Sequence, residues 1–139
     1  MKVILKNSSL VFQKATPQPV LVSETARTTI NANGETRSEA STNNYVLKLY
    51  NVQGLSKVKV SGNWIGTTNN SRAWATYTDE AFVAANLVAI YSGSSSTDVD
   101  NPVAVNDIIT LNGVDYIAIA AYIRSGYPDL NLTVETYVE

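Results

Sequence analysis

Apolar and polar side chains alternate at every second position over one short segment after another, and this constrains the fold more than any other property of the chain. Tyr45-Val46-Leu47-Lys48-Leu49-Tyr50 and Lys57-Val58-Lys59-Val60 alternate most cleanly, and Val3, Leu5, Leu10 and Phe12 repeat the pattern near the start. A period of two sends successive side chains to opposite faces of an extended strand, and Val, Ile, Tyr, Trp and Thr suit a pleated, half-buried surface. Further strands are predicted over 72–78, 86–91, 108–111, 116–124 and 130–138. Turn clusters separate them, at residues 51–54, Gly62-Asn63, Asn112-Gly113 and residues 126–129. Asn112-Gly113 is the strongest hairpin signal among these. Residues 78–85, where a capping residue precedes acids and alanines, allow a single short helix or turn at most. Many short strands without helical crossovers predict an all-β, antiparallel β-sandwich or jelly roll rather than a parallel α/β sheet.

With 139 residues, 45% of them hydrophobic and 16% charged, the chain holds enough apolar material for one core and too little charge for global disorder. It has no cysteine, so packing or association must supply the stability that disulfides give other small domains. No apolar run near the start is long enough for a signal core or a membrane span, and residues 1–22 read as mature sequence. Asn-x-Ser/Thr triplets at Asn7, Asn69 and Asn131 read as chance in a chain rich in these residues.

One stretch departs from the alternation. Residues 23–44 are rich in Ser, Thr, Asn, Glu and Ala with a single isolated Ile30, too little apolar surface to offset the entropy of ordering. The predicted organisation is therefore an N-terminal arm over 1–22, a polar flexible loop or linker over 23–44, and a β-sandwich domain over 45–139. The arm's apolar pieces, Val3 to Leu5 and Leu10 to Phe12, have no clear hairpin partner close in sequence. They can join the core's own sheet or add as an edge strand to another subunit.

Composition also removes whole classes of chemistry. Histidine and cysteine are both absent, which excludes Ser-His-Asp triads, Cys-His dyads and the usual zinc sites, so the chain reads as a binding or structural module and not an enzyme. No cofactor and no metal is implied. Net charge is only −2, but residues 1–60 carry eight basic side chains against Glu24, Glu35 and Glu39, giving +5, while residues 61–139 carry Arg72 and Arg124 against nine acids, giving −7. The two halves can attract each other or neighbouring copies, although exposed pairs contribute little and a solvated basic arm explains the asymmetry as well. There is no clustered Lys/Arg patch and no recognition motif for nucleic acid.

The opening Met1-Lys2-Val3-Ile4-Leu5-Lys6-Asn7-Ser8-Ser9-Leu10-Val11-Phe12-Gln13, followed by a polar stretch and then Tyr45 to Gly62, resembles virion proteins of tailed bacteriophages of gut bacteria, the head fibres and auxiliary capsid proteins of the crAss-like group. Ala73-Trp74-Ala75-Thr76-Tyr77-Thr78-Asp79 is similar to a family strand in which an apolar run ends in an aromatic and an acid. Val114 to Arg124 is similar to its Gly-x-x-Tyr-Ile-x-Ile strand, and Pro128 to Glu135 to its closing strand. The turn before the Tyr-Ile strand is Asn112-Gly113-Val114-Asp115, where the family often has a proline. The resemblance implies a carbohydrate-binding-module-like jelly roll displayed on the capsid surface. It also implies homo-oligomers, trimers among them, attachment of the N-terminal part to capsid or other virion proteins, and no catalytic residues.

Candidate binding residues follow from strand parity and side-chain chemistry. Placing Ile117, Ile119, Ala121 and Ile123 in the core turns Tyr116, Ala118, Ala120, Tyr122 and Arg124 outward as one strip. Small residues between tyrosines allow close packing, and Tyr and Arg favour interfaces, so Tyr116, Tyr122 and Arg124 join Val3, Leu5, Leu10 and Phe12 as candidate interface residues, with a glycan platform as the other reading of the strip. For a host-surface glycan the candidates are Trp64, in a Gly-Asn-Trp-Ile-Gly turn context, and Tyr127, since sugars stack on exposed aromatic rings. Trp74 is expected in the core. Asp98, Asp100 and Asn101 offer oxygen donors but lack EF-hand spacing, and read as an ordinary polar loop. Asp79 and Glu80 are adjacent, point opposite ways on a strand, and read as turn residues rather than a glycosidase pair.

Overall fold

The computed structural model describes residues 2–6, 9–13, 16–38, 44–66 and 71–139, the first two stretches by backbone path and register. Asn7 and Asn69, two of the triplet asparagines, lie outside these residues. Among the described residues twelve strands run in chain order: β1 (Lys2–Lys6), β2 (Ser9–Gln13), β3 (Val20–Ala26), β4 (Thr28–Ile30), β5 (Thr36–Ser38), β6 (Tyr45–Asn51), β7 (Lys57–Trp64), β8 (Trp74–Tyr77), β9 (Leu87–Ile90), β10 (Val103–Thr110), β11 (Tyr116–Tyr122) and β12 (Leu132–Thr136). Where the sequence allowed at most a short helix over 78–85, the chain makes a 3-10 turn at Ala84–Asn86, which overlaps the end of that span.

Two antiparallel sheets face each other as an all-β sandwich. One has five strands in the order β3-β6-β11-β8-β9, the other three in the order β10-β7-β12. Every connection from β6 to β12 except the β8–β9 hairpin crosses between the sheets, as in jelly-roll sandwiches. Asn112-Gly113 makes one of these crossings. Both residues have positive φ, and the Val114 N–H donates to the Leu111 carbonyl at 2.9 Å, so the tight turn read from the sequence exists. It is not a hairpin, because β10 pairs with β7 while β11 pairs with β6 and β8. Turn chemistry fixes the local reversal; which sheet receives the next strand is decided by the apolar face that strand must bury.

Val58, Val60, Val105, Ile109 and Leu132 from the three-stranded sheet meet Ile117, Ile119 and Ala121 from the five-stranded one, and this forms the main core. The opposite side of β11 is buried too. Ala118 and Ala120 pack with Leu47, Leu49, Ala75, Tyr77 and Ile30 in a second cluster, covered by Phe82 and Leu87. The molecule thus has a partial third layer, built from the β4–β5 hairpin and the segment after β8. Burial on both faces explains the continuous apolar run of Tyr-Ile-Ala-Ile-Ala-Ala-Tyr in β11, where alternation would leave one face polar.

Strands β3, β4 and β5 correct the reading of residues 23–38 as part of a polar flexible linker that ends at a domain boundary at 44, while residues 39–43 of that predicted linker lie outside the described residues. Residues 20–26 form β3 and pair with β6 over six residue pairs. Residues 28–30 and 36–38 form the β4–β5 hairpin, and Ile30, Thr28 and Thr29 are all buried. The segment has too few apolar side chains to build a core of its own, but the outer face of the sheet already offers Leu47, Leu49, Ala118 and Ala120 and needs only a cover. Backbone polar groups of the described part find partners both within the segment and beyond it. Asn31 Oδ1 accepts from the N–H groups of Asn33 and Glu35 at 2.8 and 3.1 Å, and the Arg72 N–H donates to the Ile30 carbonyl at 2.9 Å.

Tyr77 ties this cover to the sheet. Its ring meets Phe82 edge-on with centroids 5.3 Å apart, and its hydroxyl donates to the Gly34 carbonyl at 2.7 Å. Burial pushes the Tyr77 hydroxyl pKa well above the ordinary tyrosine value. The folded state therefore holds this proton after the unfolded chain has lost it. Stability from this source is complete below about pH 10 and declines as pH rises further. Tyr77→Phe is expected to lose about 1 kcal/mol at pH 7, because the Gly34 carbonyl is left unpaired, and to show a shallower decline above pH 10. Urea midpoints measured from pH 7 to 11 check this; equal slopes in the two proteins would assign the alkaline loss to other groups.

Candidate functional site

The sequence-predicted strip on β11 does not exist as an outward surface. Ala118 and Ala120 lie in the second cluster, and Tyr122 is buried in a third with Tyr45, Ile65 and Leu130. The Tyr45 and Tyr122 rings meet edge-on at 4.9 Å, and Asn44 Nδ2 donates to the Tyr122 hydroxyl at 3.3 Å. Tyr116 is half-buried at the other end of the strand. Desolvation and the carboxylates of Glu80, Asp79 and Asp115 push its pKa up. Arg124 is exposed, yet Ile123, assigned to the core, is exposed beside it. The parity argument identified Ile117, Ile119 and Ala121 correctly. It failed for the other face because a cover donated by residues 28–38 leaves no mark in β11 itself.

Trp64 also departs from expectation. It is fully buried, at 0% exposure, with its ring edge-on to Tyr91 at 5.3 Å. Its indole N–H has no hydrogen-bond partner, so it is a core residue with an unsatisfied donor and not a platform for a sugar. The flanking glycines, read as a turn, have other causes: a Cβ on Gly66 would collide with the Trp64 ring, and one on Gly62 with the Asn131 carbonyl. Trp74, expected in the core, is half-buried at the open side of the sandwich, where its Nε1–H donates to Asp107 Oδ2 at 2.8 Å and links the two sheets.

Two concavities remain as candidate sites. The first is a pocket of about 370 Å³ whose lining includes Tyr127, Asn63, Asp100 and Asp129. Arg124 stands over the Tyr127 ring, its guanidinium carbon 5.1 Å from the centroid, so the structure brings these two predicted residues together. The loop before it is self-bonded. Asp98 accepts from the Asp100 N–H at 2.9 Å and from Asn101 Nδ2 at 2.8 Å, and the Asn101 bond, then the Asp100 one, hold its carboxyl below the usual range. Asp79 likewise accepts from the Glu80 N–H at 2.7 Å, as a turn residue does.

The second is a groove of about 660 Å³ along β10, on the side where the three-stranded sheet ends. Trp74, Tyr91, Val105 and Ile109 are among its apolar lining, Ser92 and Ser94 stand at its mouth, and Asp107 is its charged side chain. Burial, and then the Asp107 carboxylate, raise the Tyr91 pKa, and the Tyr91 hydroxyl donates to the Ser94 carbonyl at 2.8 Å. No residue of this groove except Trp74 was singled out from the sequence. The signal available was the Asp107 that interrupts the apolar alternation of Val103, Val105 and Ile109.

The four N-terminal candidates fall on a ribbon of their own. β1 and β2 pair antiparallel as a two-stranded sheet, contrary to the absence of a local hairpin partner read from the sequence. Val3 stands opposite Phe12 and Leu5 opposite Leu10, which puts all four on one face of the ribbon. No protein-family model matches this chain, and no curated protein or solved structure matches it either.

Proposed function

We propose that this chain is a self-associating structural protein of a tailed-phage virion, a head fibre or capsid-decorating knob on the capsid surface that attaches to capsid or other virion proteins. The virion assignment rests on the sequence resemblance over residues 1–13, 45–62, 73–79, 114–124 and 128–135. The observation that carries self-association is apolar surface left uncovered on one edge of the five-stranded sheet. Val20, Leu21 and Val22 stand side by side on edge strand β3 at 64, 47 and 44% exposure. Contiguous exposed apolar residues on a sheet edge are normally covered by a partner chain.

Light scattering after size exclusion tests the reading. The full chain at micromolar concentration is expected at a defined multiple of the monomer mass, a trimer among the candidates; a monomer would overturn self-association. A chain starting at residue 44 is unsuitable for comparison, because it would lose β3, β4 and β5 and uncover Leu47 and Leu49. Recognition of a host-surface glycan is the second reading, favoured by the aromatic ring, amide and carboxylates of the Tyr127 pocket, the groups that stack on sugars and hold their hydroxyls. A glycan array would register it.

A further inference from the structure

We infer that the groove along β10 takes the β1–β2 ribbon of a second copy, added as strands to the free edge of β10 with the Val3, Leu5, Leu10 and Phe12 face toward the groove. This rests on the self-association reading above, and places the contact that holds the copies together at β10 rather than at the exposed β3 edge. Four observations lead to it. Among the described residues β10 pairs with β7 alone, so eight residues of strand present an unpaired edge, the template onto which an extended segment adds by main-chain hydrogen bonds. The three-stranded sheet is two strands narrower than the sheet it faces, and Val88 on β9, beyond the groove, is 53% exposed. The ribbon is two strands wide, joins no other strand ladder among the described residues, and would be marginal in water alone. Finally, residues 1–23 carry Lys2, Lys6 and Lys14 and no acid, while the groove's charged side chain is Asp107 and residues 61–139 carry −7.

The exit of the arm points to a second copy rather than to the same chain. Thr136 holds the segment before β3, its N–H bonded to Gln18 Oε1 at 3.0 Å and its hydroxyl donating to the Pro17 carbonyl. This anchors the arm beside β12, the edge of the three-stranded sheet opposite β10. Pro17 and Pro19 stiffen the exit. An arm leaving one edge and a groove on the other make a head-to-tail contact, which closes into a ring when the rotation allows.

The test uses two full-length variants. Leu5→Asp/Leu10→Asp disables the ribbon but keeps the groove; Ser92→Arg/Ser94→Arg, at two exposed positions of the groove mouth, obstructs the groove and repels the basic ribbon but keeps the ribbon. Each variant alone is expected at monomer mass where the unmodified chain is associated. Their equimolar mixture is expected at twice that mass, because each supplies what the other lacks. Hydrogen exchange gives a second readout: amides of β10 should exchange at least tenfold faster in the ribbon variant than in the unmodified chain. An associated unmodified chain whose groove variant stays associated, or a mixture that stays monomeric, overturns this contact and leaves self-association standing. A monomeric unmodified chain overturns both.

Discussion

Gly62→Ala is expected to destabilise the sandwich by roughly 4 kcal/mol or more, among the largest effects a single methyl group can have. Gly62 sits in the middle of the three-stranded sheet with φ +134°, a conformation that side chains with a Cβ rarely adopt. A Cβ there would overlap the Asn131 carbonyl oxygen deeply and crowd the Leu132 Cα. These are backbone atoms, so no rotamer change relieves the clash. β7 and β12 would have to part, and the bond from the Asn63 N–H to the Asn131 carbonyl, 3.0 Å long, would go with them. Urea unfolding measures the loss. A change below 1 kcal/mol would mean that β12 can shift freely and that the close approach at Gly62 is unimportant.

Trp64→Ala is expected to cost about 3–5 kcal/mol by emptying the core. Trp64 is among the largest fully buried side chains and stands between Tyr91 and the backbone at Gly66. The companion variant separates volume from polarity. Trp64→Phe removes less volume and also removes an indole N–H that is buried without a partner, a group that itself costs stability. It should lose less than half as much. Thermal or urea unfolding of both variants checks the ordering; a Phe variant as damaged as the Ala variant would show that the indole N–H contributes to stability.

Much of the sandwich was legible because period two is a local property. Tyr45 to Tyr50, Lys57 to Val60, and the strands near 74–77, 87–90, 116–122 and 132–136 all appear close to where alternation and β-branched content put them. What the sequence did not show is which face each strand buries. Ile30 is one apolar residue in a polar stretch, and only a neighbouring sheet with an unfilled outer face makes it a core residue. The same cover hides Ala118 and Ala120 and partly hides Tyr116, while Tyr122 is buried in a separate cluster with Tyr45, Ile65 and Leu130. Trp64 misled for a related reason: glycines beside a tryptophan resemble an exposed turn, whereas here Gly66 makes room for the buried ring and Gly62 for the backbone of the neighbouring strand. The groove was invisible because its central fact, the unpaired edge of β10, is a property of strand order, and strand order is set by long-range packing.

The distance along the chain between paired strands has a consequence for how the protein is made. Val60 on β7 meets Val134 on β12, 74 positions later, and Leu49 on β6 meets Ala118 on β11, 69 positions later. At translation rates of about 5–20 residues per second, β7 waits roughly 4–15 s for β12. During that time one side of the central strand of the three-stranded sheet, and the Val58 and Val60 surface that Leu132 helps to cover, have no partner. Pairings this far apart also fold slowly once complete, on the millisecond to second scale. A nascent chain of this design exposes sticky strand edges for longer than it takes to fold, so its yield in the cell depends on being shielded while it is synthesised.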